Sequence, residues 1–221
     1  MLINLRNALM AGKRLPYDAE VEWIGQKAST NLAYIATRTI PPVGSILRCR
    51  FRFTDTRTSF CGIGNLSSTR FAFGIDSGMF RVSTNAWTTV VNTPDTLWHD
   101  WLIDEVQGIA SVDTTSVSIR SHSAFTGDSW GLGFLLFRRL TSGGGSDYTT
   151  YGAQCASLYI GTANDVLFDG IPVRFTNEYG ESEGALYDRR GIGGMNPNGS
   201  ARTDGLYRFR GSYAVYGPDK N

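Results

Sequence analysis

An excess of charge of either sign is missing from this sequence: 21 Lys and Arg face 20 Asp and Glu, for a formal net charge of +1. A near-neutral chain sets up no global field to draw in a polyanion, so neither nucleic acid nor an anionic membrane surface is an expected partner. Long apolar runs are missing too. None approaches the roughly 20 residues of a membrane span, and Asn4, Arg6 and Asn7 interrupt any apolar core at the start, so no span and no signal peptide are expected. Cysteine is sparse: Cys49, Cys61 and Cys155 are odd in number and lack metal-type spacing, which excludes a disulfide framework. Their apolar and aromatic neighbours suit buried thiols acting as small hydrophobes, with a Cys49–Cys61 bridge between neighbouring strands as the alternative. The two histidines, His99 and His122, are too few for a metal cage. Gly-x-Ser-x-Gly occurs at Gly127–Gly131 and Gly180–Gly184, but no histidine or acid stands out as a partner, which argues against a serine hydrolase.

What the sequence has is glycine (26 residues) and aromatic side chains (12%) spread over 221 residues. Glycine supplies positive φ for tight turns, aromatics suit a half-buried pleated surface, and this length fits one all-β domain with a substantial core. Residues 2–14 carry Leu2, Ile3, Leu5, Leu9 and Met10 among polar residues and end at Gly12 and Pro16, an amphipathic pattern that predicts a short N-terminal helix. Such a helix is marginal alone; its apolar stripe must pack on the domain, on a second copy or in a larger assembly. The expected division is therefore an arm over 1–14 and a β-domain over 15–221.

From Tyr17 the period changes to two. Ala19 to Ile24 alternates, and Ile46 to Phe53 alternates more cleanly, with Arg48, Arg50 and Arg52 on one face and Leu47, Cys49, Phe51 and Phe53 on the other. Further strands are predicted at Phe60–Gly64, Arg70–Ile75, Phe80–Ser83, Thr88–Val91, Leu97–Glu105, Ser116–Arg120, Leu132–Phe137, Ala156–Thr162, Val173–Phe175, Ala185–Arg189 and Leu206–Arg210. Asp76-Ser77-Gly78 reads as a hairpin turn; Asp169-Gly170 and Ser142-Gly143-Gly144-Gly145-Ser146 read as exposed connections. Residues 190–204 form a long loop with little core material, a size of loop that is often functional or disordered. Short strands separated by turn signals predict an all-β sandwich or barrel and not βαβ units.

Three stretches carry a resemblance: Arg14-Leu15-Pro16-Tyr17-Asp18-Ala19-Glu20-Val21-Glu22-Trp23-Ile24 at the start, Gly170-Ile171-Pro172-Val173-Arg174-Phe175 with Gly184-Ala185-Leu186-Tyr187-Asp188-Arg189 later, and Tyr216-Gly217-Pro218-Asp219-Lys220-Asn221 at the end. They resemble uncharacterised proteins of gut bacteria and their phages and prophages, and are similar to the concanavalin A-like lectin and glucanase superfamily, in particular its laminin-G-like branch. The pattern departs after Ile24, over Gln26 to Ile35. The resemblance implies an all-β, two-sheet antiparallel jelly-roll sandwich, one sheet concave, whose rim loops often carry sugar or calcium sites, in a binding module. In phage relatives it implies a virion surface protein, in a head or tail fibre, that adheres to host or mucosal glycans; a virion-surface or extracellular location is the expectation.

Glucanases of that superfamily use paired carboxylates projecting from one strand face. Here Asp104 and Glu105 are adjacent and point to opposite faces. Glu20 and Glu22 share a face but read as solvated edge, and Glu181 and Glu183 fall in a segment, Glu178–Gly184, that reads as an exposed loop. No catalytic residue is assigned, and an enzyme is not expected. Sugar recognition needs only an aromatic platform and a few fixed polar groups. Trp87, Trp130, Tyr148 and Tyr151 stand in turn-like contexts and are the candidate platforms, each with the alternative of covering the core or a subunit interface. Asp128 and Asp147, beside hydroxyls, are candidate ligand contacts and could offer oxygens to calcium, but no dense Asp/Asn cluster is present and no cofactor is expected. The leading expectation is a non-catalytic carbohydrate-binding or adhesion module, oligomeric through its N-terminal helix. A purely structural subunit-contact protein and a glycoside hydrolase are the alternatives.

Overall fold

A computed structural model describes residues 15–26, 33–64, 69–126, 131–140, 146–149, 152–210 and 214–220. These residues form strands and connections without a helix; the helix expected over 1–14 lies outside them. The strands make two sheets. The larger runs β11 (Thr115–Ser118), β10 (Ile109–Val112), β9 (His99–Asp104), β4 (Ile46–Phe53), β15 (Ala153–Gly161), β16 (Val166–Thr176), β17 (Ser182–Asp188), β18 (Leu206–Arg208). On it, β1 (Ala19–Glu20) pairs with β16, and β2 (Ile24–Gln26) pairs with both β15 and β19 (Ala214–Tyr216). The smaller runs β14 (Ser146–Thr149), β13 (Arg138–Leu140), β5 (Ser59–Gly64), β6 (Arg70–Asp76), β7 (Met79–Ser83), β8 (Trp87–Val91), with β12 (Leu135–Leu136) joining β5 to β3 (Ile35–Ala36). Named strand pairs are antiparallel except β13 with β5, which run parallel.

The alternation in β4 sets the architecture. Leu47, Cys49, Phe51 and Phe53 are buried while Arg48 and Arg50 are exposed. The inward rings meet the other sheet directly: Phe51 lies 5.3 Å from Phe73 of β6, and Trp101 of β9 lies 5.0 Å from both Phe73 and Phe80 of β7. These edge and tilted contacts are the favoured aromatic geometries and add to the stabilisation from area burial. Two sheets packed across one aromatic core make a β-sandwich. A second, smaller cluster lies on the outer side of the large sheet, where Ile171, Val173, Phe175, Ala185, Tyr187 and Leu206 pack with Leu15 and Tyr17.

The hairpin at Ser77-Gly78 forms as expected, with φ of 53° and 71°, the two positive values that suit a right-twisted strand pair. Asp169-Gly170, expected to be a connection, instead lies within β16. Gly170 is there because a Cβ would fall 2.5 Å from the Phe168 ring; the glycine allows a close approach and makes no turn. Residues 190–204, expected to hold little core material, are pinned by backbone bonds such as Met195 N to Leu206 O (3.0 Å), and Met195 itself is 1% exposed. The three thiols are free and buried. The Cys49 sulfur lies 4.0 Å from that of Cys155, so the Cys49–Cys61 bridge is not formed.

Candidate functional site

Residues far apart in the chain meet beside Arg38 in a cleft of about 420 Å³, lined by Thr37, Arg38, Thr39, Ile40, Leu167, Arg190, Ile192, Gly193, Gly194, Arg202 and Tyr207. One wall is a strained turn. Arg38 has φ of 57°, a region that residues with a Cβ seldom occupy. Three backbone bonds hold it there: Thr37 N to Phe134 O (3.1 Å), Arg38 N to Leu132 O (2.9 Å) and Phe134 N to Thr39 O (2.8 Å). The facing residue must be Gly133, with φ of 64°, because a Cβ would collide with the Thr39 backbone nitrogen. Strain kept by so many constraints is a pointer to function. It presents an exposed arginine that forms no ion pair among the described residues.

The opposite wall is the 190–194 loop. The Asp188 carboxylate, fully buried, grips the Arg190 guanidinium with both oxygens, and Arg190 Nη1 donates to Val166 O at 3.1 Å. The Asp188 bond is the main influence holding the Arg190 guanidinium above the usual arginine range. Arg202 is fixed in the same manner, by Asp204 Oδ1 (3.0 Å) and Asn196 Oδ1 (3.0 Å). Each guanidinium is thus oriented in advance and still has N–H groups to spare. Burial, then the nearby Asp188, pushes the Tyr207 phenol up from its ordinary value, so its hydroxyl stays a neutral donor. Gly193 allows that hydroxyl to approach, since a Cβ there would overlap Tyr207 Oη. Ile40 (43% exposed) and Ile192 (54%) supply apolar contact at the cleft. Asp188 and Asp204 neutralise Arg190 and Arg202, leaving Arg38 as the uncompensated charge.

Two other depressions are shallower in chemistry. One of about 530 Å³ lies between Thr84–Thr88 and Ser118–Arg120. The other, about 310 Å³, lies on the arginine face of β4, where Arg50 pairs with Asp100 (3.1 Å), Arg52 donates to Gln154 (2.7 Å) and lies 5.1 Å from the Trp98 ring centroid, and Arg48 lies 5.7 Å from that of Tyr159. This is the solvated arginine face expected from the alternation, with its charges engaged laterally.

Of the residues expected from the sequence to bind a ligand, Trp87 stands on β8, half-buried, with its ring 4.7 Å from that of Phe60 and the Arg70 guanidinium 5.7 Å away. Those neighbours occupy much of its stacking surface. Asp147 and Tyr148 fall on β14, and Asp128, Trp130 and Tyr151 lie outside the described residues. The cleft residues Arg38, Arg190, Arg202 and Tyr207 were not singled out by sequence reasoning; the only signal was the length of the 190–204 loop.

Of the six carboxylates weighed for catalysis, four are engaged elsewhere, while Glu20 is half-buried and Glu22 exposed. Glu105 is buried, with Oε2 accepting from Gly44 N (3.0 Å) and Ser45 N (3.1 Å) and Oε1 from His122 N and Nδ1, both at 2.7 Å. Asp104 Oδ1 accepts from Gln107 N at 2.9 Å. Glu183 lies on β17 rather than in a loop, and binds the buried Arg208 guanidinium at 3.0 Å, while Asn177 Nδ2 reaches Glu181 at 3.1 Å. His99 has two Asp partners, Nδ1 to Asp113 at 2.7 Å and Nε2 to Asp95 at 2.8 Å. The chain matches no protein-family model and no curated protein.

Proposed function

We propose that this chain is a non-catalytic recognition module, a jelly-roll sandwich of the lectin kind, and that it binds a saccharide in the cleft between Arg38 and the 190–194 loop. The observation that supports this reading is the convergence there of three arginines, two threonines and a tyrosine hydroxyl with two exposed isoleucines. Planar guanidiniums match vicinal hydroxyl or acid oxygens bidentately, while isoleucine covers the C–H face of a sugar ring. The uncompensated charge of Arg38 favours saccharides that carry an acid group. Binding is preferred to hydrolysis because Glu105, Asp104 and Glu183 are each committed to internal partners. Display on a virion surface or outside the cell, in an oligomer joined through residues 1–14, fits the same reading.

The test is a broad glycan array probed with the full chain and with Arg38→Ala and Arg50→Ala. Binding to a restricted set of glycans, lost in Arg38→Ala and kept in Arg50→Ala, is the expected outcome. No binding to any glycan by the unaltered chain would overturn the proposal.

A further inference from the structure

Several arginines withdrawn from solvent in this fold are matched by carboxylates: half-buried Arg81 by Asp76, Arg174 by Asp219, Arg190 by Asp188 and Arg202 by Asp204, and buried Arg208 by Glu183. The arginines around Tyr34 are not. The guanidinium carbons of Arg138 and Arg210 lie 5.3 Å and 5.6 Å from its ring centroid, and neither arginine forms an ion pair among the described residues. Arg210 is fixed by a backbone bridge, Tyr34 N to Arg210 O (3.0 Å) and Arg210 N to Tyr34 O (2.8 Å), and its Nε donates to Pro197 O at 3.2 Å. Arg138 is less well served: its Nε is buried and has no acceptor. Burial holds the Arg138 guanidinium below the usual arginine range, opposed only by the Tyr34 phenol.

The ring offers both cations a favourable π face, but it carries no net charge. A desolvated cation with an orphaned N–H is costly unless something completes it. We propose that Arg138 and Arg210 together hold an oxyanion beside Tyr34: a carboxylate, sulfate or phosphate group taken from solution or from a larger ligand. Guanidinium N–H groups bind such groups through short, charge-assisted hydrogen bonds. This site is separate from the Arg38 cleft and does not depend on it.

The experiment follows the arginine Nε–H resonances of the ¹⁵N-labelled full chain by NMR during titration with sodium sulfate, sodium phosphate and sodium acetate at fixed ionic strength. The Arg138 Nε–H is expected to shift saturably with at least one of the three. In Arg210→Gln the apparent affinity should fall about tenfold, in Arg210→Lys by less because the charge remains, and in Arg38→Ala not at all. Backbone amide spectra of the variants report whether each is folded, and Arg210→Lys serves if Arg210→Gln is not. A further arm compares glucose 6-sulfate with inorganic sulfate: tighter binding of the ester assigns the anion to a sugar, equal or weaker binding assigns it to a free ion, and both support the site. Absence of a saturable Arg138 shift with every anion up to about 50 mM, well past the weak-binding range, would overturn it, as would unchanged affinity in Arg210→Gln and Arg210→Lys.

Discussion

Replacing Glu105 with Gln takes one acceptor oxygen from a fully buried side chain on which four N–H donors converge. The donors come in two pairs, Gly44 and Ser45 on one oxygen and the His122 backbone and ring on the other. An amide can satisfy only one pair; whichever way it flips, its NH₂ faces the other two donors. Each orphaned donor costs about 1–3 kcal/mol, which agrees with the roughly 3–5 kcal/mol lost when one partner of a buried charged pair is removed. The expected loss is therefore about 4 kcal/mol. In a chain of 221 residues, each kcal/mol moves Tm by roughly 2–4 °C, so Glu105→Gln is expected to melt about 8–16 °C lower. His122→Phe leaves three of the four donors on the carboxylate and should cost about 2 kcal/mol. Differential scanning calorimetry at pH 7 reads both. A Glu105→Gln shift under about 3 °C, or a larger loss in His122→Phe, would refute the reasoning.

Three further outcomes are expected. Burial is outweighed at all three groups: bonds to Asp113 and Asp95 raise His99, the Leu97 N–H and then His99 lower Asp95, and His99 and then the Asp100 N–H lower Asp113. The His99 contribution is thus complete below about pH 6.5 and lost as pH rises through its elevated folded value, and the Asp contributions are lost as pH falls below about 4. Because both aspartates are nearly half exposed, the effect should stay below about 1 kcal/mol. Urea unfolding of His99→Gln should show a flatter stability profile between about pH 6 and 8; an unchanged slope would contradict the pairing. Gly193→Ala meets both a left-handed φ of 69° and the Tyr207 hydroxyl, whereas Gly78→Ala, at φ of 71°, meets open space. The first should cost about 2–3 kcal/mol and the second about 1 kcal/mol, and equal losses would remove Tyr207 from the explanation. Burial, with Cys155 alongside, raises the Cys49 thiol well above its ordinary value. Ellman's reagent should find no reactive thiol in the native chain and all three after denaturation; rapid native labelling would contradict the buried placement.

The strands were legible where their periodicity was strong. The alternation over Ile46–Phe53 specified both the faces and the bounds of β4, because arginine alternating with phenylalanine leaves a single burial solution. Ile109–Val112 was missed: four residues including Ala and Ser, directly after Gly108, carry little pattern of their own and become a strand by pairing with β9. Gly170 misled because the same residue type serves turns and close approaches, and only the Phe168 ring distinguishes them. The carboxylates could be read partway: adjacency put Asp104 and Glu105 on different faces, but the His122 partner of Glu105 is set by long-range packing. The cleft was hidden for the same reason. Thr37–Ile40, Leu167, the 190–194 loop and Tyr207 are ordinary in isolation, and Arg38 gains its left-handed backbone only from Leu132–Phe134 opposite.

The claim that the Arg38 cleft is the recognition site is tested most directly by isoleucine δ1-methyl NMR. The chain is titrated with the strongest glycan from the array, while the methyls of Ile40 and Ile192 are followed at the cleft and that of Ile119 in the depression beside Thr84. Saturable shifts at Ile40 and Ile192, with Ile119 unmoved, are the expected result. Shifts at Ile119 alone, or at none of the three, would contradict the assignment.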